Sequence, residues 1–296
     1  MKATALCQDI DIGTDVDIDI DKVDKVDGQK TRMTIFASSP FTDTKLERRA
    51  LTCNILPKLQ EKGRRAAGIV VTMYDMRYGV KDEILKRHLV WDTCRNEIER
   101  CYEESSGSFF LSMQADKYGF CTIPRLIEQS DFESRISSWS KSNDTTLVEL
   151  ASKWYQLDYN CSPPSYALRS LVNYNDETFW KDALPKLRNG FAGMKVDDSS
   201  ADEDIIVGRS VTEWETRLAL SKDASRSFWI RRHFDVAITE VEDPYGHFIE
   251  KSVDIDSRVL CDGLKGYLIS TLRLDDVVDI PCQSLRDLVP LSLIHI

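Results

Sequence analysis

MTIFASS, residues 33–39, is the stretch that decides the fold. It is a short, β-rich apolar run that ends in small polar residues, the pattern of a buried strand rather than one with a wet face. GIVVTMYDM (68–76) and SFFLSMQ (108–114) have the same character. Helical periods fill the gaps between them. Thr42 or Asp43 can cap a helix running to about Lys62, with Leu46, Ala50, Cys53, Leu56 and Leu59 as its buried stripe. Pro57 should kink it, because it has no N–H to offer Cys53. A second helix over about 82–103 puts Leu85, His88, Trp91, Cys94, Ile98 and Cys101 or Tyr102 on one face, with His88 reading as a packed core residue. Strand, helix, strand, helix, strand predicts an α/β fold, an open parallel sheet with flanking helices.

Working outward, residues 121–209 break the rhythm. They hold helix candidates near 124–138, 145–157 and 176–188, a Cys-Ser-Pro-Pro turn at 161–164 and an acidic loop at 197–204, and are expected to be a largely helical insertion. The rhythm resumes in SVTEWETRLAL (210–220), where Ser210 or Thr212 can cap a helix with Glu213 in its first turn. RSFWIRRHFDVAI (226–238) is a fourth strand, and a final helix is expected over 257–272. The ordered domain is therefore expected to span 32–275, with a linker beginning at 276–290. Residues 1–31 read as a disordered acidic tail, since alternating aspartates would repel along any strand they formed. LSLIHI (291–296) reads as the translated end of a sequencing adapter, so the natural chain is expected to continue past Pro290.

Composition narrows the function classes. Of the net charge of −10, residues 9–27 carry −6, eight aspartates against two lysines, which leaves −4 for the rest of the 296 residues. That balance points away from nucleic acid and anionic membranes. No stretch approaches the length of a membrane span, and the N-terminus lacks the apolar block of a secretory signal. The eight cysteines form no CxxC pair and have no histidine at zinc spacing, so no metal site is expected, and they read as reduced core thiols of a cytoplasmic protein.

Several segments then resemble one family when taken in order. SSPFTDTKLERRAL carries Asp43, Glu47 and Arg48; Tyr74-Asp75-Met76-Arg77-Tyr78-Gly79 matches a DLRWG element with Tyr for Trp. Cys94, Glu97, Ile98 and Cys101 match a C-x-x-E-I-x-x-C helix, and Ala115-Asp116-Lys117-Tyr118-Gly119 a G-x-K-Y-G element with Ala for its first Gly. KWYQLDYNCSPPSYALR (153–169) and SVTEWETRLAL complete the set. Together they resemble the N-terminal domain of the NACHT and WD-repeat domain-containing proteins, signalling ATPases with telomerase-associated and nephrocystin-type relatives. The resemblance implies a TIR- or flavodoxin-like domain with a regulatory, protein-interaction role. It also implies protein partners and homo-oligomers formed through the full-length protein. No GxxxxGK[ST] loop occurs in this chain, so ATP hydrolysis is not expected of it.

Ligands of open parallel sheets sit beyond the carboxyl ends of the strands. That rim should gather Ser38, Ser39, Asp75, Arg77, Lys117 and Tyr118, with Arg231 and Arg232 on the fourth strand. The alternative function is a TIR-like enzyme that hydrolyses NAD or binds a nucleotide. Glu213, with Glu215 second, would then steady the oxocarbenium ion formed as nicotinamide leaves. Against this stands a structural role for the same residues. Asp75 with Arg77, and Glu47 with Arg48, can be loop-orienting ion pairs; Glu213 can complete a capping box with Ser210; Glu97 can be a solvated flank of its helix.

Overall fold

The structure, a computed structural model, describes residues 32–40, 43–76, 82–173, 176–195, 205–234 and 255–282. The expected acidic tail, Arg77, the acidic loop at 197–204 and residues 291–296 lie outside the described residues. The chain divides into two compact units. The first is Met1–Arg77, Asn96–Gly119 and Ala219–Ile296; the second is Tyr78–Arg95 and Phe120–Leu218. In chain order the strands are β1 (Arg32–Ser38), β2 (Val70–Asp75), β3 (Phe110–Ser112), β4 (Leu126–Glu128), β5 (Tyr155–Asp158), β6 (Ser165–Leu168), β7 (Ser227–Phe234) and β8 (Val277–Cys282).

The first unit is built on a five-stranded sheet in the order β2-β1-β3-β7-β8. Every pairing is parallel, from Arg32↔Val70 and Phe36↔Phe110 through Phe110↔Ser227 to Trp229↔Val277. The α/β class and its parallel sheet are as the sequence predicts. β1 is buried on both faces. Met33, Ile35 and Ala37 pack with Leu51, Leu59, Val71, Leu111 and Phe228, while Phe36 stacks on Phe110 with ring centroids 6.1 Å apart. Burying such runs is the main drive to fold, at about 25 cal/mol per Å² of apolar surface.

The first helix accommodates Pro57 through a change of helix type. It starts as Lys45–Ala50, widens into a π-turn at Leu51–Ile55, and resumes as Leu56–Ala67 with Pro57 in its first turn. The wide turn absorbs the hydrogen bond that proline cannot make. Gly68, at φ +67°, then stops the helix in the left-handed conformation that a side chain would resist. The helix expected over 82–103 is in fact two, Asp82–Lys86 and Val90–Glu104. His88 stands in the break at φ +58°, its Nε2 3.1 Å from the carbonyl of Arg169, so it packs at a turn and not on a helix stripe. Trp91, Cys94, Ile98 and Cys101 are buried as expected.

The sheet also continues past the expected end of the domain at 275. Val277–Cys282, placed in a linker by the sequence reading, is instead the edge strand β8. Its half-exposed pattern and Pro281 suit an edge, where a missing N–H breaks no ladder. The expected strand 226–238 is described as far as Phe234, and its last four residues lie outside the described residues. The final helix, Ile255–Thr271, buries Cys261, Leu264 and Leu268 on one stripe.

The second unit is largely helical, as expected, but it also contains a small sheet that the sequence reading did not foresee. Within it β4, β6 and β5 form an antiparallel sheet in that order. Helices Gln129–Lys141, Thr145–Trp154 and Leu184–Gly190 belong to the same unit. Phe132, Trp139, Trp154, Tyr155, Phe179, Leu187 and Phe191 form its core. Asp144 caps the second of these helices by accepting the Leu147 N–H at 3.1 Å. Gly190 allows the last to pack closely, since a Cβ there would stand 2.9 Å from Trp139 Cζ2. That helix repeats the device of the first unit: a π-turn at Phe179–Ala183 precedes Leu184-Pro185-Lys186-Leu187, as Leu51–Ile55 precedes Leu56-Pro57-Lys58-Leu59.

Candidate functional site

Numbered within the first unit's sheet, the strand order is 2-1-3-4-5. In sheets of this order the direction of winding reverses between β1 and β3, and the carboxyl ends of those strands flank the crevice where ligands sit. Ser38 and Ser39 close β1 there, and Asp75 closes β2. Both positions are filled by one side chain. Arg48, on the first turn after Thr44, is buried to within 1% of its surface and lies between them. Its Nε donates to Ser39 Oγ at 2.8 Å, its Nη2 donates to the Ser39 carbonyl at 3.0 Å, and its Nη1 pairs with Asp75 Oδ1. Ser39 Oγ also meets Thr44 Oγ1 at 2.6 Å, which ties the helix start to the strand end. A planar guanidinium with several donors in fixed directions suits this bridging, and lysine would not replace it.

Beside it lies a second, deeper group. Asp43 is wholly buried; its Oδ2 accepts the backbone N–H groups of Asp116 and Lys117, each at 3.0 Å. Its Oδ1 pairs with Arg232 of β7, whose Nη1 donates to Glu47 Oε1 at 2.7 Å and to the Asp43 carbonyl at 3.1 Å. Asp116 approaches the same guanidinium at 3.9 Å and holds Lys265 Nζ at 2.7 Å, which brings in the final helix. Cys261, one turn earlier, lies 3.5 Å from both the Ala115 carbonyl and Gln114 Nε2, and burial pushes its thiol up to about 12. Three carboxylates thus face two cations. Burial pushes the Asp43 carboxyl up to about 7, against the downward pull of Arg232.

This group cross-links the first helix, the segment after β3, β7 and the final helix. Its chemistry is that of a clamp: the polar atoms are turned toward one another. Of the predicted rim residues, the structure brings Ser39 and Asp75 together through Arg48 and brings Lys117 to Asp43 through its backbone. Tyr118 is fully buried, and Arg77 lies outside the described residues. The predicted partners are exchanged. Asp75 is held by Arg48, and Glu47 by Arg232. Arg231 pairs with Asp279 across the β7–β8 edge, its Nη2 donating at 2.9 Å.

Glu213 and Glu215 belong to the second unit, not to the one that carries the rim. The N–H of Glu213 donates to Ser210 Oγ at 3.1 Å, the cap its spacing suggests. Its carboxylate accepts from Arg217 Nε at 2.7 Å and lies 3.4 Å from Arg209 Nε. Glu97 is paired with Arg100, which donates to Glu104 at 3.0 Å and lies over the Tyr74 ring at 4.1 Å, so it is a braced helix flank. Sequence reasoning missed Thr44, Gln114 and Lys265. Gln114, the polar residue directly after Met113 at the end of SFFLSMQ, was the one available signal. Among the described residues no helix is long and apolar enough to cross a membrane, and no His, Cys, Asp and Glu side chains cluster to hold a metal ion.

Known proteins bear on this arrangement. The chain is 29% identical over 240 residues to the mouse NACHT domain- and WD repeat-containing protein 1, and 25% identical over 236 residues to its human counterpart. These matches cover 75% and 74% of the chain but 15% of each relative. Human NACHT and WD repeat domain-containing protein 2 is 32% identical over 136 residues, 46% of the chain and 8% of that protein. No protein-family model matches the chain. No solved structure matches it either.

Proposed function

We propose that this chain is a regulatory, protein-interaction domain of a cytoplasmic NACHT and WD-repeat protein, with the TIR- or flavodoxin-like fold that the strand order 2-1-3-4-5 suggests. The similarity over 240 residues to a NACHT and WD-repeat protein carries the proposal. The closed strand tips support it. Arg232 and Asp43 tie the end of β1 to the segment after β3, where a sheet of this order would seat a small substrate, and Arg48 bridges the ends of β1 and β2, so the domain is read as transmitting through its surface and rigidity rather than by turnover. In the longer protein it would report the binding of a partner, or self-association, to the nucleotide-driven switch that follows. The test is to compare nucleotide turnover and oligomeric state of the parent protein with and without residues 32–282. A change of several-fold in either is expected, and identical behaviour of the two forms overturns the proposal.

The competing enzyme needs Glu213 free to meet a developing cation. Arg217 and Arg209 at its carboxylate weigh against that. Release of nicotinamide from NAD by the chain, lost in Glu213→Ala, would reverse the preference.

A further inference from the structure

Exposed apolar side chains are concentrated in one place. Half of the large ones exposed among the described residues, Val259, Leu260, Ile269 and Leu274, fall on the final helix of the first unit and the turn after it. Val259 is 64% exposed, Ile269 52% and Leu274 87%. With about 100° between successive residues, Val259, Gly263, Gly266 and Ser270 share the face opposite the buried Cys261, Leu264 and Leu268, and Leu260 and Ile269 flank it. A contiguous apolar patch of this kind marks an interaction surface.

Two glycines at the centre of that face say what it accepts. Glycine inside a helix is destabilising relative to alanine. The fold itself does not call for them: a Cβ at Gly263 or Gly266 would meet no atom within 4 Å, whereas one at Gly190 would stand 2.9 Å from Trp139 Cζ2. Bare backbone on an outer face lets a second helix come closer than side chains would permit.

The pattern of the face matches its own reverse. Counted from the midpoint between the glycines, Val259 is as far out as Ser270, Leu260 as Ile269, and Asp256 as Arg273. Asp256, Arg258 and Asp262 precede the glycines, and from Gly263 to Leu272 the one charged residue is Lys265, held by Asp116 at 2.7 Å. An antiparallel copy therefore sets the charged half over the uncharged half, and Asp256 level with the partner's Arg273. A parallel copy would set Asp256 on Asp256 and Asp262 on Asp262.

We propose that two copies of this chain associate through the outer faces of their final helices, crossing antiparallel at Gly263 and Gly266 in an isologous contact. One helix face is smaller than the roughly 800 Å² per partner of a standard interface, so the dimer is weak and forms only at high local concentration. The inference rests on the interaction role proposed above and gives it a surface. A monomeric chain would remove the surface and leave that role to be judged by the deletion of residues 32–282.

The experiment is sedimentation velocity of the whole chain from about 1 to 500 μM, where a monomer–dimer equilibrium with a dissociation constant between about 10 μM and 1 mM is expected. Gly263→Leu with Gly266→Leu should weaken it at least about tenfold, and Ile269→Glu likewise. The leucine variant should also raise the thermal midpoint, since leucine is the better helix former and the space around each Cβ is open. A firmer fold with a lost dimer is a result that misfolding cannot produce. Asp256→Arg should weaken the dimer by about threefold at low salt. A chain that stays monomeric at the top of the concentration range overturns the proposal, as does a dimer unchanged in both the leucine and the glutamate variants. A dimer that Asp256→Arg leaves as it was overturns the antiparallel arrangement.

Discussion

At the strand tips of the first unit, Asp43, Glu47, Asp116, Arg232 and Lys265 fold inward and pair with one another. On the outer face of the final helix, Asp256 reaches solvent, and among the described residues nothing pairs with it. The contrast teaches how charge should be read in a fold of this kind. A charge removed from water must be paired where it lies, so a buried pair reports on architecture and is weak grounds for assigning chemistry. A charge held on an open face carries no such obligation, and its partner can come from outside.

The contrast can be broken most sharply at Arg232. Arg232→Ala leaves Asp43 and Glu47 facing each other without their shared cation, and should destabilise the chain by about 3–5 kcal/mol in chemical denaturation. A loss below about 1 kcal/mol would mean that the strand-tip clamp is ornamental. Acidity probes the same clamp more gently. The Asp43 carboxyl is raised to about 7 in the folded state from an ordinary 3.8, so the folded chain holds that proton more tightly than the unfolded chain. Its contribution to stability is therefore full below about pH 4 and is lost as pH rises through about 7. Denaturation midpoints measured between those limits should show this decline in the natural chain, and Asp43→Asn should flatten it.

In the second unit, Gly190→Ala should cost about 1–3 kcal/mol, since the new methyl meets Trp139 and Leu147 at 2.9–3.1 Å and the core must shift. The smallest effect belongs to the final helix. Asp256→Ala should change the stability of the monomer by less than about 1 kcal/mol, the size of one charge at a helix terminus. A larger loss would show that the side chain serves the fold, and would erase the difference between the two regions.

What the sequence could reveal follows from burial. β1, β3 and β7 were legible because each lies inside the sheet and is apolar on both faces, and β2, although an edge strand, was legible from its β-rich Val-Val-Thr-Met-Tyr run. β8 was not: half-exposed at an edge, VVDIPC mixes apolar and polar residues and includes a proline. The antiparallel sheet of the second unit was missed for a different reason. Its strands have three or four residues, too few to establish an alternating period. The clamp was half legible. Asp43, Glu47, Arg48 and Asp75 stood out, but their partners did not, since Arg232 is 189 residues from Asp43 and Arg48 is 27 from Asp75. No local pattern encodes a pairing across that distance; the sheet order does.

The π-turns before Pro57 and Pro185 have a consequence for any effort to alter or transplant these helices. A π-turn holds one residue more than an α-turn, so every side chain downstream is rotated by roughly 100° from where an uninterrupted helix would carry it. Leu56 and Leu59, and Leu184 and Leu187, meet their cores only because of that offset. The turn works as a phase adjuster in the helical wheel. Removing one residue from 51–55 or 179–183 should let the turn close to an ordinary α-turn with the downstream leucines still facing their cores, whereas forcing an α-turn on the full-length segment would turn a buried face toward solvent.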